Sequence, residues 1–157
     1  VMSPKSLLRH KLATSELAEL ASGHFQTLIP EGDKLSAKGV KRIVLCSGKI
    51  YYDLLQRRRD ENRQDVAILR LEQLYPFPAA ELRQALAAYP PTAQLVWCQE
   101  EPRNQGAWRQ IREWLDEALG DRPIGYAGRA ESASTAAGYA KVHADEQAAV
   151  LQTALGF

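Results

Sequence analysis

Two short stretches carry residues whose types and spacing could do chemistry. The first is Ser47-Gly48-Lys49, which follows an apolar run and opens a helical pattern. Free amides at a helix N-terminus attract anions, and the Lys49 ammonium would add a point charge, so this stretch could form an anion or effector loop. The bland reading is a strand-to-helix turn that uses glycine for its backbone freedom, with Lys49 paired to an acid. The spacing is not that of a Walker loop. The second stretch is residues 96–108, V-W-C-Q-E-E-P-R-N-Q-G-A-W. Here an apolar strand empties into a kinked polar segment, and a helical pattern starts at Trp108. Glu100 and Glu101 could act as an acid/base pair. Adjacent residues point apart, however, and no histidine stands beside them. The alternative is that one carboxylate satisfies loop amides or an arginine while the other is solvated or meets another subunit.

The density of directional groups in this second stretch is itself informative. Gln99, Glu100, Glu101, Arg103, Asn104 and Gln105 supply many hydrogen-bonding groups, and Pro102 limits the loop's freedom. Gly106 permits close backbone approach, and Trp108 is an aromatic of the kind that anchors interfaces. The segment is therefore expected to be an interface loop. The competing reading makes Trp108 simply the first core residue of its helix.

Elsewhere the chemistry-bearing residues are dispersed. His10, His24 and His143 form no ligand-spaced cluster. His10, between Arg9 and Lys11, should have its imidazolium form disfavoured, and is read as an interface residue. Cys46 and Cys98 lie in apolar strand patterns with no C-x-x-C or Cys/His spacing, which argues against zinc. They are expected to be buried, reduced thiols in a cytosol-like compartment. Arg57-Arg58-Arg59 reads as a solvated helix end that complements the macrodipole. The tyrosines and tryptophans read as core or interface anchors rather than base-stacking platforms.

The elements that must position these residues follow from hydrophobic periodicity. Strands are expected over residues 40–46, 66–71, 94–98 and 123–127. Helices are expected over 49–59, from Pro78 with a buried face of Leu82, Leu86 and Tyr89, over 105–119, and over 143–155. Strands alternating with helices predict an α/β domain with a mainly parallel open sheet and helices on both faces. A 2-1-3-4 order of these strands would place the two polar loops at the topological switch point, with Lys49 near Glu100 and Glu101. Residues 1–39 have a different texture and are read as a linker segment that wraps back over the domain of residues 40–157. Within that linker, Ser15 is expected to cap a short helix over 16–21. Val1-Met2 reads as the end of a strand cut from its sheet, so the chain is expected to be a fragment of a longer polypeptide.

Bulk properties exclude some classes. The chain has 157 residues, a formal net charge of +1 and 45% hydrophobic residues, ordinary for one globular domain. No basic excess marks it as a nucleic-acid or membrane-surface binder. No apolar run is long enough to span a bilayer, and no signal peptide is visible.

Several ordered motifs together resemble a known family. They are S-P-K-S-L-L-R-H-K at residues 3–11, S-G-K-I-Y-Y-D-L-L at 47–55, R-L-E-Q-L-Y-P-F-P at 70–78, the 96–108 stretch, and G-R-A-E-S-A-S-T-A-A-G-Y at 128–139. They resemble the C-terminal end of 2-oxoglutarate dehydrogenase, although Thr135 stands where that family more often has proline. The resemblance implies a transketolase C-terminal-domain-like fold. It implies that the parent polypeptide decarboxylates 2-oxoglutarate and passes a succinyl group to a lipoyl carrier, as part of the citric acid cycle. Its partners would be the rest of the parent chain, its homodimer mate and the lipoyl-bearing succinyltransferase. The location would be the bacterial cytoplasm, or the mitochondrial matrix in a eukaryote. Thiamine diphosphate and Mg would be held by earlier domains whose motifs are not found here. No catalytic, cofactor-binding or metal-binding residue is therefore assigned to this chain, and it is expected to be inactive alone. Two rivals are a 2-oxoadipate dehydrogenase parent and a regulatory module that binds a nucleotide or acyl-CoA. The resemblance also implies that the small-residue stretch 132–138 packs closely against another backbone.

Overall fold

The computed structural model describes residues 3–156; the strand end read at Val1-Met2 lies outside them. The chain runs through α1 (Leu17–Ser22), β1 (Leu28–Ile29), β2 (Arg42–Cys46), α2 (Ile50–Asp60), β3 (Val66–Leu71), α3 (Ala79–Leu86), β4 (Gln94–Pro102), α4 (Trp108–Leu119), β5 (Ile124–Arg129) and α5 (Ala140–Leu155). The strands form one sheet in the order β1-β3-β2-β4-β5. All pairings are parallel except that of β1, which runs antiparallel to β3 at the edge. The four longer strands thus take the 2-1-3-4 order expected, and the loops after β2 and β4 flank the point where the chain changes direction across the sheet.

The sheet is buried on both faces because its strands are near-continuously apolar. Ile43, Leu45, Ala67, Leu69, Leu95 and Trp97 point to one face, where α3 and α4 bring Leu82, Leu86, Ile111 and Leu115. Val44, Cys46, Ile68, Val96 and Cys98 point to the other, against Leu54 of α2 and Val150, Ala154 and Leu155 of α5. Arg42 closes the far end of this second layer. Its guanidinium donates to the carbonyls of Thr153 and Ala154 at 3.3 and 3.5 Å, so a cation meets the negative end of α5.

Five sequence expectations are corrected. Ser15 does not cap α1; Glu16 stands at the cap, and its N–H donates to the Glu19 carboxylate at 2.9 Å. The strand expected to stop at Cys98 continues to Pro102, with a register shift against β5 between those two residues. Helix α4 starts at Trp108 rather than at Gln105, and α5 at Ala140 rather than at His143. Arg58 is not part of a solvated helix end: it is 1% exposed. Its guanidinium pairs with Glu31 and with Asp33 at 2.7 Å and donates to the Val66 carbonyl at 3.0 Å. A second oxygen contact binds the same turn to the sheet, since Glu31 accepts the Ile68 N–H at 2.8 Å. Burial works against the Arg58 charge, but these two carboxylates outweigh it and raise the pKa.

Candidate functional site at the strand ends

The loop after β2 is a tight turn. Gly48 has φ +74°, a left-handed conformation that favours glycine, and it lets the chain turn directly into α2. Lys49 then meets Asp53 at 2.8 Å and Glu100 at 2.7 Å. Burial lowers the Lys49 pKa, and the two carboxylates more than offset that, so the net shift is upward. The ammonium is spent inside the chain, one cation against two carboxylates. That is the paired-lysine turn, and it leaves Ser47-Gly48-Lys49 without the free positive charge an anion loop needs. Of the two acids expected near Lys49, Glu100 reaches it. Glu101, the next residue on an extended chain, faces elsewhere and is exposed.

The loop after β4 is organised by Gln99. Alternation along β4 continues Leu95 and Trp97 inward, so Gln99 enters the same layer and is 3% exposed. Its Oε1 accepts from the Trp97 indole N–H at 3.1 Å and from the Trp108 backbone N–H at 2.9 Å. Its Nε2 faces the carbonyls of Glu101, Pro102 and Gln105 at 3.2, 3.2 and 2.8 Å. One amide therefore satisfies a buried indole, an orphan donor at the start of α4 and the turn between them. Gly106 has φ +66°, and a Cβ there would lie 2.9 Å from the Glu101 Cβ. Trp108 is 5% exposed and packs in the core beside Tyr126, ring centroids 5.1 Å apart.

The remaining groups of the loop bind a neighbouring segment of the same chain. Asn104 accepts the Ser132 N–H at 3.0 Å and donates to the Ser132 carbonyl at 2.9 Å. Gln105 donates to the carbonyls of Ser132 and Ser134 at 2.9 and 3.1 Å. The start of the small-residue stretch 132–138 is thus held by side-chain amides of the same chain. Arg103 lies over the Tyr126 ring, 5.2 Å from its centroid. Of the seven expected interface residues, Glu101, Arg103 and Asn104 remain exposed.

Sequence reasoning missed the link from these loops to α5. Gln147 donates to Asp53 at 2.9 Å and to Glu100 at 3.1 Å, joining α2, β4 and α5. Arg129 donates to the Glu100 carbonyl at 2.8 Å and to Gln147 at 3.2 Å, and lies 3.1 Å from His143. A glutamine on a helix gives no sequence signal for such a role. His10 is committed too: its Nδ1 accepts the Leu12 N–H at 3.3 Å, and its ring lies 5.5 Å from that of Tyr52.

The two thiols lie in register on neighbouring strands and both are buried and free. Burial pushes the Cys46 thiol well up and the Cys98 thiol to about 12, so neither is placed as a nucleophile. Among the described residues no group of three or more His, Cys, Asp or Glu side chains could hold a metal ion. With Lys49 committed to carboxylates, the strand-end loops do not fit thiamine diphosphate and magnesium. No helix among the described residues is long and apolar enough to cross a membrane.

A solved structure places this arrangement among known folds. A split-gene transketolase, described as an inactive β4 tetramer, superposes with a TM-score of 0.50 at 16% identity, over 75% of this chain and 39% of that one. Fold and site together define a transketolase-like α/β domain whose strand-end loops are braced among themselves. The sequence model of the family described as "2-oxoglutarate dehydrogenase C-terminal" matches residues 14–155, and the chain belongs to that family. It is 52% identical over 157 residues to the 2-oxoglutarate dehydrogenase E1 component of Haemophilus influenzae, covering 99% of this chain and 17% of that protein. The corresponding protein of Cupriavidus necator is 49% identical over 155 residues, covering 98% and 16%. The chain thus spans about a sixth of the length of the curated relatives it matches.

Proposed function

We propose that this chain is the C-terminal, non-catalytic assembly domain of a 2-oxoglutarate dehydrogenase. The parent enzyme would oxidatively decarboxylate 2-oxoglutarate and transfer the succinyl group to the lipoyl-bearing succinyltransferase of its complex. Thiamine diphosphate and magnesium would be held by parts of the parent outside these residues. The parent would act as a homodimer in the cytoplasm of a bacterium, a reading that the bacterial relatives support. One observation carries the non-catalytic reading. The polar side chains at the switch point, where an α/β sheet usually meets its ligand, are turned on one another: Lys49 on Asp53 and Glu100, and Gln99 on the start of α4. The exposed remainder of the second loop, Glu101 and Arg103, is left to face another part of the assembly.

Full-length enzyme carrying Glu101→Ala or Arg103→Ala tests this. Sedimentation should show a weakened dimer, while succinyl-transfer kcat per intact dimer stays at the wild-type value. A fall in kcat with an undisturbed dimer would place these residues in the chemistry and refute the assembly role.

A further inference from the structure

A hollow lies at the strand ends beside the braced loops. It is a cleft of about 500 Å³ walled by Ser47, Leu74, Glu101 and Gln110, among others. Leu74 leads directly into Tyr75, which is 77% exposed. The Tyr75 ring lies 5.8 Å from that of Trp114, and the Phe77 ring 6.1 Å from the same indole. Gln110 and Trp114 are one turn apart on α4, so they share a face. This aromatic ledge thus adjoins the cleft's lining, through Leu74 in the chain and Gln110 on α4. Tyr75 is exposed while Phe77 and Trp114 are half-buried against the core, and large aromatics of this kind are the residues that dominate interface energies.

Charge says what the ledge would receive. Lys49, the cation at the cleft, is committed to Asp53 and Glu100. The neighbouring arginines are engaged as well: Arg109 pairs with Glu131 at 2.7 Å, and Arg103 lies over Tyr126. The Glu101 carboxylate has no hydrogen-bond or ion-pair partner among the described residues. The cleft therefore favours a cation and disfavours phosphate-bearing ligands. A guanidinium or ammonium on an apolar stem suits both halves of the surface, since such groups pair with carboxylates and also rest on aromatic faces.

We propose that the cleft and its aromatic ledge hold a segment of the parent polypeptide outside these 157 residues, with a lysine or arginine meeting Glu101 and an apolar side chain lying on Tyr75 and Trp114. This rests on the assembly reading above. The relatives are about six times longer than this chain, so most of the surface available to fill the cleft lies beyond it.

Hydroxyl-radical footprinting of the full-length enzyme reads the ledge directly. At its exposure in this structure, Tyr75 would react nearly as fast in the native protein as in the unfolded one. With the segment in place its native reactivity should be several-fold lower. E101K or raised salt should restore reactivity, and E101Q should restore part of it. Glu101 is exposed and its carboxylate serves no internal contact, so these variants leave the fold in place. Tyr75 reacting at the unfolded rate in the native full-length enzyme would mean a bare ledge and would overturn the proposal. Protection that survives both E101K and high salt would overturn its cationic occupant. If Tyr75 is bare while Arg103→Ala still weakens the dimer, the assembly reading stands and only this inference fails.

Discussion

At the scale of single residues, Gln99 decides how the second loop is built. Replacing it with alanine strands the Trp97 indole N–H and the Trp108 amide in a buried layer and frees the turn carbonyls. Buried donors left unpaired cost about 1–3 kcal/mol each, so Gln99→Ala should lower unfolding free energy by about 2–4 kcal/mol. Denaturant titration of the two proteins checks this, and an unchanged midpoint would show that water replaces the amide without cost. The residue types of the loop were legible in the sequence. The direction in which they spend their hydrogen bonds was not. Density of polar groups identifies a loop that must make many bonds, but composition is the same whether the partner is another subunit or Ser132 of the same chain. Trp108 shows the same ambiguity, because an aromatic at a helix start is an equally good interface anchor or core residue until its neighbours are known.

At the scale of elements, the turn before the regular sheet is held to α2 by charge, and that hold depends on pH. The bond from Arg59 to Asp33 lowers the aspartate's pKa, burial opposes it, and Arg58 adds to the lowering, leaving the carboxyl at about 2 against an ordinary 3.8. A folded-state pKa below the unfolded one means the unfolded chain binds the proton first. The stabilisation is therefore complete above about pH 3.8 and is lost as pH falls through about 2. Asp33→Asn should be less stable at neutral pH, and its melting temperature should fall less steeply than the wild type's between pH 4 and 2. Parallel melting curves would show that Asp33 does not supply the acid sensitivity. The strands themselves were readable because buried parallel strands are near-continuous apolar runs, and residues 66–71 matched to the residue. The extension of β4 was hidden because Gln-Glu-Glu-Pro carries turn chemistry. Only the register with β5 keeps it extended, through the pairing of Pro102 with Arg129. The burial of Arg58 was hidden for the converse reason: three arginines at a helix end fit the macrodipole, and their partners Glu31 and Asp33 lie far back in sequence.

At the scale of the whole molecule, these contacts say which residues the folded unit needs. A chain beginning at Val40 would lack β1, Glu31 and Asp33 and would leave the Arg58 guanidinium buried without a counter-charge. Removing the partners of a buried charge costs about 3–5 kcal/mol, a large share of the roughly 5–15 kcal/mol that holds a typical domain together. That chain should show weak near-ultraviolet dichroism and a broadened unfolding transition, whereas one beginning at Phe25 should unfold cooperatively. Equal cooperativity in both would mean residues 1–39 are dispensable. The strand order adds a consequence for synthesis. The centre of the sheet, β2, is made before β3 and β4, which add on either side of it, while β1 emerges earlier than all three and has nothing to pair with until β3 is complete. The strand that seals the sheet edge is thus made two strands ahead of the one it pairs with. The two acids that follow it, Glu31 and Asp33, wait in the nascent chain for Arg58, so the arginine can enter the interior with its counter-ions already on hand.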